Sequence, residues 1–292
     1  MRKLFDIELK DGRTIALGRR TAVVGVLNIT PDSFSDGGVN FDAERAIANG
    51  LRMEGAGADI IEVGGESTRP GAAVVSVEEE LSRVVPVVGG LARKLRIPIS
   101  VDTYKSQVAR VVIDEGASLL NDVSALRFDP LIADVAARAR VPLVLMHMRG
   151  EPATMQKIAP STDIFLEIER DIAAAVTEAE RRGVARKQII FDPGIGFGKT
   201  LEQNLEILNL LGRFESLGLP IMIGTSRKSF IGRLTGRLEN DRVFGTAASV
   251  SSAIIRGAHI VRVHDVKEMV EVARVTDAII NAAGSSEDER ET

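Results

Sequence analysis

The chain has 292 residues, of which 45% are hydrophobic and 27% charged, with a formal net charge of −4. This is the balance of a globular protein of one large domain or two small ones. It lacks the basic surplus of a broad nucleic-acid footprint, yet leaves room for a local positive pocket. There is no cysteine and only three histidines, His147, His259 and His264, so disulfides, thiolate metal sites and thiol nucleophiles are excluded, and any metal is expected to be a hard cation such as Mg²⁺ on oxygen ligands.

In chain order, "LFDIELKDGRTIAL" reads as a β-hairpin: Leu4, Ile7 and Leu9 precede a Lys-Asp-Gly turn, and Thr14, Ile15 and Leu17 follow it. Its early charges leave no apolar core for a signal sequence, and no later run approaches the roughly 18 apolar residues of a spanning helix; a cytoplasmic chain is expected. Apolar runs at 22–28, 58–63, 98–102, 117–121, 142–147, 188–192, 220–225 and 258–263 then read as strands. Between them lie helical patterns such as "DAERAIANGLRMEGA", "SQVARVVIDEGA" and "LEQNLEILNLLGRFESLG". Eight β-then-α units point to an α/β protein of the (β/α)8 (TIM) barrel class with an N-terminal β-hairpin; a doubly wound sheet is the alternative. The expected division is one domain over 1–292: hairpin 1–20, barrel 21–280, and a flexible acidic tail 281–292.

The units repeat. "GADIIEV", "GASLLND" and "GAHIVRV" share one register, and "RIPISVD", "RVPLVLM" and "GLPIMIG" another. Short αβ loops that simply favour Gly and Pro are an alternative to true internal repetition. Four residues past each shared Ala or Pro lie Glu62, Asn121, Arg262, Asp102, Met146 and Gly224, while Asp192 and Asn28 end the two remaining strands. Most are polar at the C-terminal end of an apolar strand, the face where barrels of this class carry their active sites. The loop 29–40 after Asn28 is then the first βα loop of such a site, and "GGESTRPGA" (64–72) is its neighbour. Together they look like a lid, although 64–72 also reads as an ordinary surface loop.

Four further stretches carry candidate chemistry. "ISVDTYKSQVA" ends a strand on Asp102, with Thr103 a candidate helix cap; Asp102 as the cap is the alternative. "FDPGIGFGKT" resembles the end of a phosphate loop, but Pro193 stands where its first Gly is required. It is better read as a strand ending on Asp192 and a glycine loop that approaches a ligand closely. A carboxylate there suits a ligand edge with an amino group beside a ring N–H; a loop-capping Asp is the alternative. "GTSRKSFIG" puts Arg227 and Lys228 after strand seven, where barrels often hold phosphate, or else as solvated surface charges. "VRVHDV" spaces Arg262 and His264 two apart, so that on a strand they share a face and, with Asn28 alongside, form an anion site suited to diphosphate and Mg²⁺; a packed histidine is the alternative for His264. His147 and His259 read as structural.

With "GVLNITPDSFSDGG", "VGGESTRPGA", "SVDTYK", "LLNDVSA", "DPGIGFGKT" with "GTSRKS", and "RVHDV" in this order, the chain resembles the dihydropteroate synthase family over residues 21–280. The resemblance implies a (β/α)8 barrel, usually a homodimer. It implies condensation of 6-hydroxymethyl-7,8-dihydropterin diphosphate with 4-aminobenzoate, with Mg²⁺ as cofactor, and competition by sulfonamides. It implies that Asp102, Asn121, Met146, Asp192, Gly224 and Lys228 hold the pterin. Asn28 would ligate Mg²⁺; Asn28, Arg262, Val263 and His264 would hold the diphosphate. Thr68, Arg69, Pro70, Phe197 and Ser229 would shape the aminobenzoate pocket, and Asp36 and Arg69 would close over it. Asp102, Lys228, Arg262, His264, Asp36 and Arg69 are the expected catalytic set. A methyltetrahydrofolate-type methyltransferase barrel and a non-catalytic pterin-binding paralogue are the rivals; the former has no use for a diphosphate site.

Overall fold

The computed structural model describes residues 2–29, 38–68, 71–152, 154–158 and 160–282 of the chain. The expected lid residues Asp36, Arg69 and Pro70 and most of the acidic tail lie outside these. Strands β1 (Phe5–Glu8) and β2 (Thr14–Leu17) form the antiparallel hairpin, pairing Phe5 with Leu17. The barrel strands and their helices follow: β3 (Ala22–Asn28), α1 (Gly38–Gly55), β4 (Ile60–Gly64), α2 (Val77–Ala92), β5 (Ile99–Asp102), α3 (Ser106–Asp114), β6 (Leu119–Asp122) and α4 (Leu131–Ala139). Then come β7 (Leu143–Met146), α5 (Ile164–Arg181), β8 (Ile189–Asp192), α6 (Leu201–Asn209), β9 (Met222–Ile223), α7 (Ser229–Thr235), α8 (Val243–Ile255), β10 (Ile260–Val263) and α9 (Val266–Ala282). The eight strands are parallel in the order β8-β7-β6-β5-β4-β3-β10-β9, and a single parallel bridge from Phe191 to Ile221 nearly closes the ring. The architecture is the expected TIM barrel with an N-terminal hairpin.

Most strands begin one or two residues later than the sequence pattern suggests, for a reason visible in the hydrogen bonds. Ala58, Ala117 and Ala258 donate their N–H groups to Met53, Val112 and Ala253, five residues back. The preceding glycines, 57, 116 and 257, have φ of +99°, +118° and +105°. These are Schellman caps, so the repeated Gly-Ala pairs close helices rather than open strands. Pro98 and Pro142 stand one residue ahead of their strands and Pro220 two ahead of its own, having no N–H to donate. Their carbonyls nevertheless accept from Ile61, Leu120 and Phe191 of the neighbouring strand. The pattern 201–218 is not one helix: α6 stops at Asn209 and a 3-10 segment, Leu211–Leu217, follows. Helix α1 begins at Gly38, inside the stretch expected to be loop.

Alternation along the strands sorts side chains into two populations. Val23, Leu27, Ile61, Val63, Val101, Leu120, Leu145, Phe191 and Val261 face outward into one large core shared with the helices. Ala22, Val24, Ile60, Leu119, Val144, Ile190, Met222 and Ile260 face inward and pack with Ile7, Leu9 and Leu17 of the hairpin. The hairpin thus plugs the floor of the barrel. Two residues past Ile60, Leu119, Ile190 and Ile260, the inward positions of β4, β6, β8 and β10 turn polar.

Candidate active site

That polar layer contains Glu62, Ser100, Asp102, Asn121, Asp192 and Arg262, all but Arg262 buried. Arg262 binds Glu62 through Nε and Asp102 through its terminal nitrogen at 2.9 Å. Asn121 donates to Glu62 at 3.1 Å, and the Ser100 hydroxyl reaches the same carboxylate oxygen at 3.4 Å. One guanidinium therefore serves two carboxylates across the barrel. Burial pushes the Asp102 carboxyl well above the usual carboxylate range, with Arg262 opposing. The Oδ1 of Asn121 is buried with no partner among the described residues, an acceptor open to a ligand's donor. Asp102 does not cap α3: its first amide, Ser106 N–H, is taken by Asp129 at 2.8 Å, and Thr103 receives the N–H of Lys105, ahead of the helix.

Asp192 both holds its loop and faces the barrel. Its Oδ1 accepts the Gly194 N–H at 2.7 Å, so the loop-capping alternative is also true. Burial raises its pKa, while Lys228 and Arg262 pull it down after that hydrogen bond. The glycine loop bends tightly here: a Cβ at Gly194 would collide with the His147 carbonyl, and one at Gly198 would sit 2.6 Å from the Arg149 carbonyl. Phe197 on this loop packs with Met146 and Met148, and Lys228 lies 4.1 Å above its ring. Lys199, which completes the false phosphate-loop match, points inward, and burial lowers its pKa to about 7.

At the end of β9 and β10 the outcome is mixed. Gly224 lies against the Arg262 side chain, where a Cβ would be 3.8 Å from it. Arg227 pairs with Asp265 at 2.5 Å, so it is committed to the protein. Strand β10 stops at Val263, so His264 lies past its end and does not share a strand face with Arg262. His264 meets the Ser226 hydroxyl at 3.0 Å. Burial, with Arg262 next, holds its pKa down to about 4. It therefore offers a neutral imidazole at neutral pH beside the Arg262 cation. Val263 turns its side chain outward into the helix core, so only its peptide group is placed to meet a ligand. Ser229 is exposed at the first turn of α7, and Thr68 is half-buried just before the undescribed pair 69–70.

Asn28 closes β3 opposite Gly64, which in turn pairs with Asp102. A Cβ at Gly64 would lie 3.6 Å from Asn28 Oδ1 and 3.7 Å from the Asp102 Cβ. A half-buried amide oxygen at the mouth, with the nearby carboxylates already held by Arg262, fits a hard cation that keeps water and substrate phosphates as its other ligands. A second grouping, His147, Glu167 and Asp171, has ligand-capable atoms within 4.8 Å of one another outside the barrel. Its carboxylates already meet Arg149 at 2.7 Å and Arg170 at 2.9 Å, and burial keeps the imidazole neutral. With its charge balanced, it joins α5 to β7. His259 sits beneath the floor, its Nδ1 accepting from Ile221 N–H at 3.1 Å and its Nε2 3.0 Å from the Lys3 carbonyl.

Sequence reading placed Glu62 in the ring but assigned it no part; its register was the signal. Ser226 and Lys199 were missed: a serine or lysine beside a charged motif gives no pattern that tells support from ligand contact.

An apolar-floored (β/α)8 barrel with acceptors at mid-height and cations at its rim is an enzyme of the class that encloses a flat, donor-rich ring bearing an anionic group. A family model described as pterin binding enzyme matches residues 24–264. The chain belongs to that family. It is 47% identical over 263 residues to a dihydropteroate synthase of Synechocystis, covering 90% of this chain and 91% of that one. It is 46% identical over 260 residues to the Escherichia coli dihydropteroate synthase, covering 89% and 92%. Among solved structures, the Yersinia pestis dihydropteroate synthase in a sulfonamide drug complex superposes with a TM-score of 0.89 at 41% identity, covering 95% of this chain and 100% of that one. The Xanthomonas albilineans enzyme with 4-aminobenzoic acid gives 0.88 at 43% identity, covering 95% and 99%.

Proposed function

We infer that this chain catalyses the dihydropteroate synthase reaction. It is a transferase that joins 6-hydroxymethyl-7,8-dihydropterin diphosphate to 4-aminobenzoate and releases diphosphate. The observation that supports the reading is the buried acceptor layer at the strand ends: Asp102 stands in register with Asn121, whose Oδ1 has no partner among the described residues, and Asp192 stands in register with Met146. A pterin presents an amino group and ring N–H donors along one edge, which such acceptors match in pairs.

Each residue then has a part. Asp102, Asn121, Asp192 and Lys228 orient the pterin. As the C–O bond to diphosphate breaks, its electron pair leaves with the diphosphate and positive charge grows on the pterin methyl carbon. Asp102 lies where it opposes that charge. Arg262, the Val263 peptide and the neutral His264 N–H receive the leaving diphosphate. To do so Arg262 exchanges a carboxylate partner for phosphate oxygens. Asn28 would hold Mg²⁺, which when bound would supply charge neutralisation at the diphosphate. The arylamine is nucleophilic when neutral, attacks the methyl carbon and sheds its proton to water, so no strong base is needed. Thr68, Phe197 and Ser229 contact the aminobenzoate, where sulfonamides compete; the roles expected of Pro70, Asp36 and Arg69, in the pocket and in excluding water, fall on residues outside the described ones. The Xanthomonas enzyme solved with 4-aminobenzoic acid and the Yersinia enzyme solved with a sulfonamide support the choice of these two ligands.

The chain acts as a cytoplasmic homodimer of a single domain in this reading. No helix among the described residues is long and apolar enough to cross a membrane. Leu234, Leu238, Phe244 and Ile255 on and around α7 and α8 are exposed apolar side chains, an area suited to a second copy. A chain that sediments as a monomer at micromolar concentration sinks that part.

The reaction is tested with purified chain, pterin diphosphate and labelled 4-aminobenzoate, with and without Mg²⁺. Mg²⁺-dependent labelled dihydropteroate is expected. Pterin binding without product would return the reading to a paralogue or methyltransferase barrel. Asn28→Ala is expected to raise the Mg²⁺ concentration for half-maximal rate about tenfold; an unchanged requirement removes Asn28 as the ligand.

A further inference from the structure

Lys199 has no part in the account above, yet it is a lysine only 7% exposed. Its Nζ donates to the main-chain carbonyls of His147 at 3.2 Å, Gly194 at 2.9 Å and Phe197 at 3.2 Å. An ammonium has three N–H donors and no acceptor, so these three carbonyls use its full capacity. They belong to two segments, the end of β7 and the loop after β8. That loop passes through Gly194, Gly196 and Gly198, with φ of +67°, +85° and +66°. A chain so rich in left-handed glycines has little shape of its own and must be held from outside. Asn204 holds one flank, accepting the Gly196 N–H at 2.7 Å. Lys199 holds the other, and one of its three bonds ends on Phe197 itself.

We propose that Lys199 is a positioning residue for the aminobenzoate pocket: by tying the glycine loop to the end of β7, it fixes where the Phe197 ring stands. The proposal rests on the functional reading above and extends it. Phe197 packs in a cluster with Met146 and Met148, and the Lys228 ammonium lies over its ring. Its ring can hold a flat aromatic acid in register with the pterin only while its backbone is pinned. Of the pterin acceptors, Asp102 and Asn121 lie on other strands and receive nothing from Lys199, whereas Asp192 heads the same loop and is held there by its own bond from the Gly194 N–H. The expected signature is thus a larger effect on aminobenzoate than on pterin.

The test is steady-state kinetics on wild type, Lys199→Met, Phe197→Ala and the double variant, with Lys199→Gln as a milder change that keeps two donors. Lys199→Met is expected to raise KM for 4-aminobenzoate about tenfold, with KM for pterin diphosphate moving less than about threefold, and Lys199→Gln to fall between. In the Phe197→Ala background the lysine change is expected to add less than about twofold, because both act through one ring. Equal effects on both substrates, or full additivity with Phe197→Ala, would make Lys199 a general structural pin and overturn the proposal. So would failure of both lysine variants to fold. An active wild type with unchanged aminobenzoate KM in Lys199→Met overturns this inference alone; a wild type that forms no product overturns the functional reading and this inference with it.

Discussion

The floor and the mouth of the barrel are built from the same strands, two residues apart, and obey opposite chemistry. Ile60, Leu119, Val144, Ile190 and Ile260 fill the floor against the hairpin, with nothing polar among them. One inward step later stand Glu62, Asn121, Met146, Asp192 and Arg262. Alternation sends both sets inward, so facing the core does not decide polarity. What decides it is whether something else will fill the space above. The floor is closed by Ile7, Leu9 and Leu17 and gains about 25 cal/mol for each Å² of apolar surface buried. The mouth is left to a ligand. Its polar groups are held meanwhile by one another, at a cost the apolar layer has to offset.

The sharpest way to break the comparison is to remove the cation that balances the mouth. Arg262→Ala leaves Glu62 and Asp102 buried with no counter-charge, and unfolding free energy is expected to fall by about 3–5 kcal/mol. Activity is expected to fall at least about a thousandfold, as for loss of a group that stabilises the leaving anion. Adding Glu62→Gln to Arg262→Ala removes one orphaned charge, so urea titrations are expected to show partial recovery of stability while kcat/KM stays low. Recovery of both would mean that Arg262 acts only on Glu62 and never on substrate.

The floor is expected to behave in the reverse manner. Leu119→Ala opens a cavity in an apolar layer, and about 3 kcal/mol of stability should be lost. Below the melting range its kcat is expected to stay within about twofold of wild type, because the polar layer is braced by its own hydrogen bonds. A large loss of kcat with intact folding would show that the two layers are mechanically coupled.

This contrast also explains which parts of the molecule could be read before it was seen. The strands, the hairpin and the ring of strand-end residues follow from local features, namely alternating apolar runs, Gly-Ala caps and strand-leading prolines. Those features act over a few residues and survive in the folded chain, as the matching bonds of Ala58, Ala117 and Ala258 show. Glu62 and Arg262 are 200 residues apart, and no local pattern announces that they will meet. His264 could be placed near the diphosphate, but its neutrality comes from burial and from the charge of Arg262, both properties of the assembled mouth. Val263 entered the candidate set through its neighbours in "RVHDV", although strand alternation already turns its side chain away. Lys199 is the converse case: its place at the end of an incomplete phosphate-loop motif says nothing of the three carbonyls it meets in the folded chain.

The smallest effect tests the floor by proton rather than by volume. His259 receives the Ile221 N–H and faces the Lys3 carbonyl beneath the barrel, and burial holds its pKa down to about 4. In the unfolded chain it titrates near 6.5. The folded imidazole is thus neutral wherever the unfolded one begins to charge, so its contribution is whole above pH about 6.5 and is lost as pH falls toward about 4. At pH 7 His259→Gln is expected to cost about 1–2 kcal/mol, the loss of a well-placed buried acceptor and donor. At pH 5 the wild type has already given up about 2 kcal/mol to protonation of its unfolded state, and the variant has not. The gap between them should therefore close or reverse between pH 7 and pH 5, which urea titrations at the two pH values read directly. A gap that stays constant would mean that His259 holds its proton in the folded state, and that the space beneath the floor admits a charge that the layer above it does not.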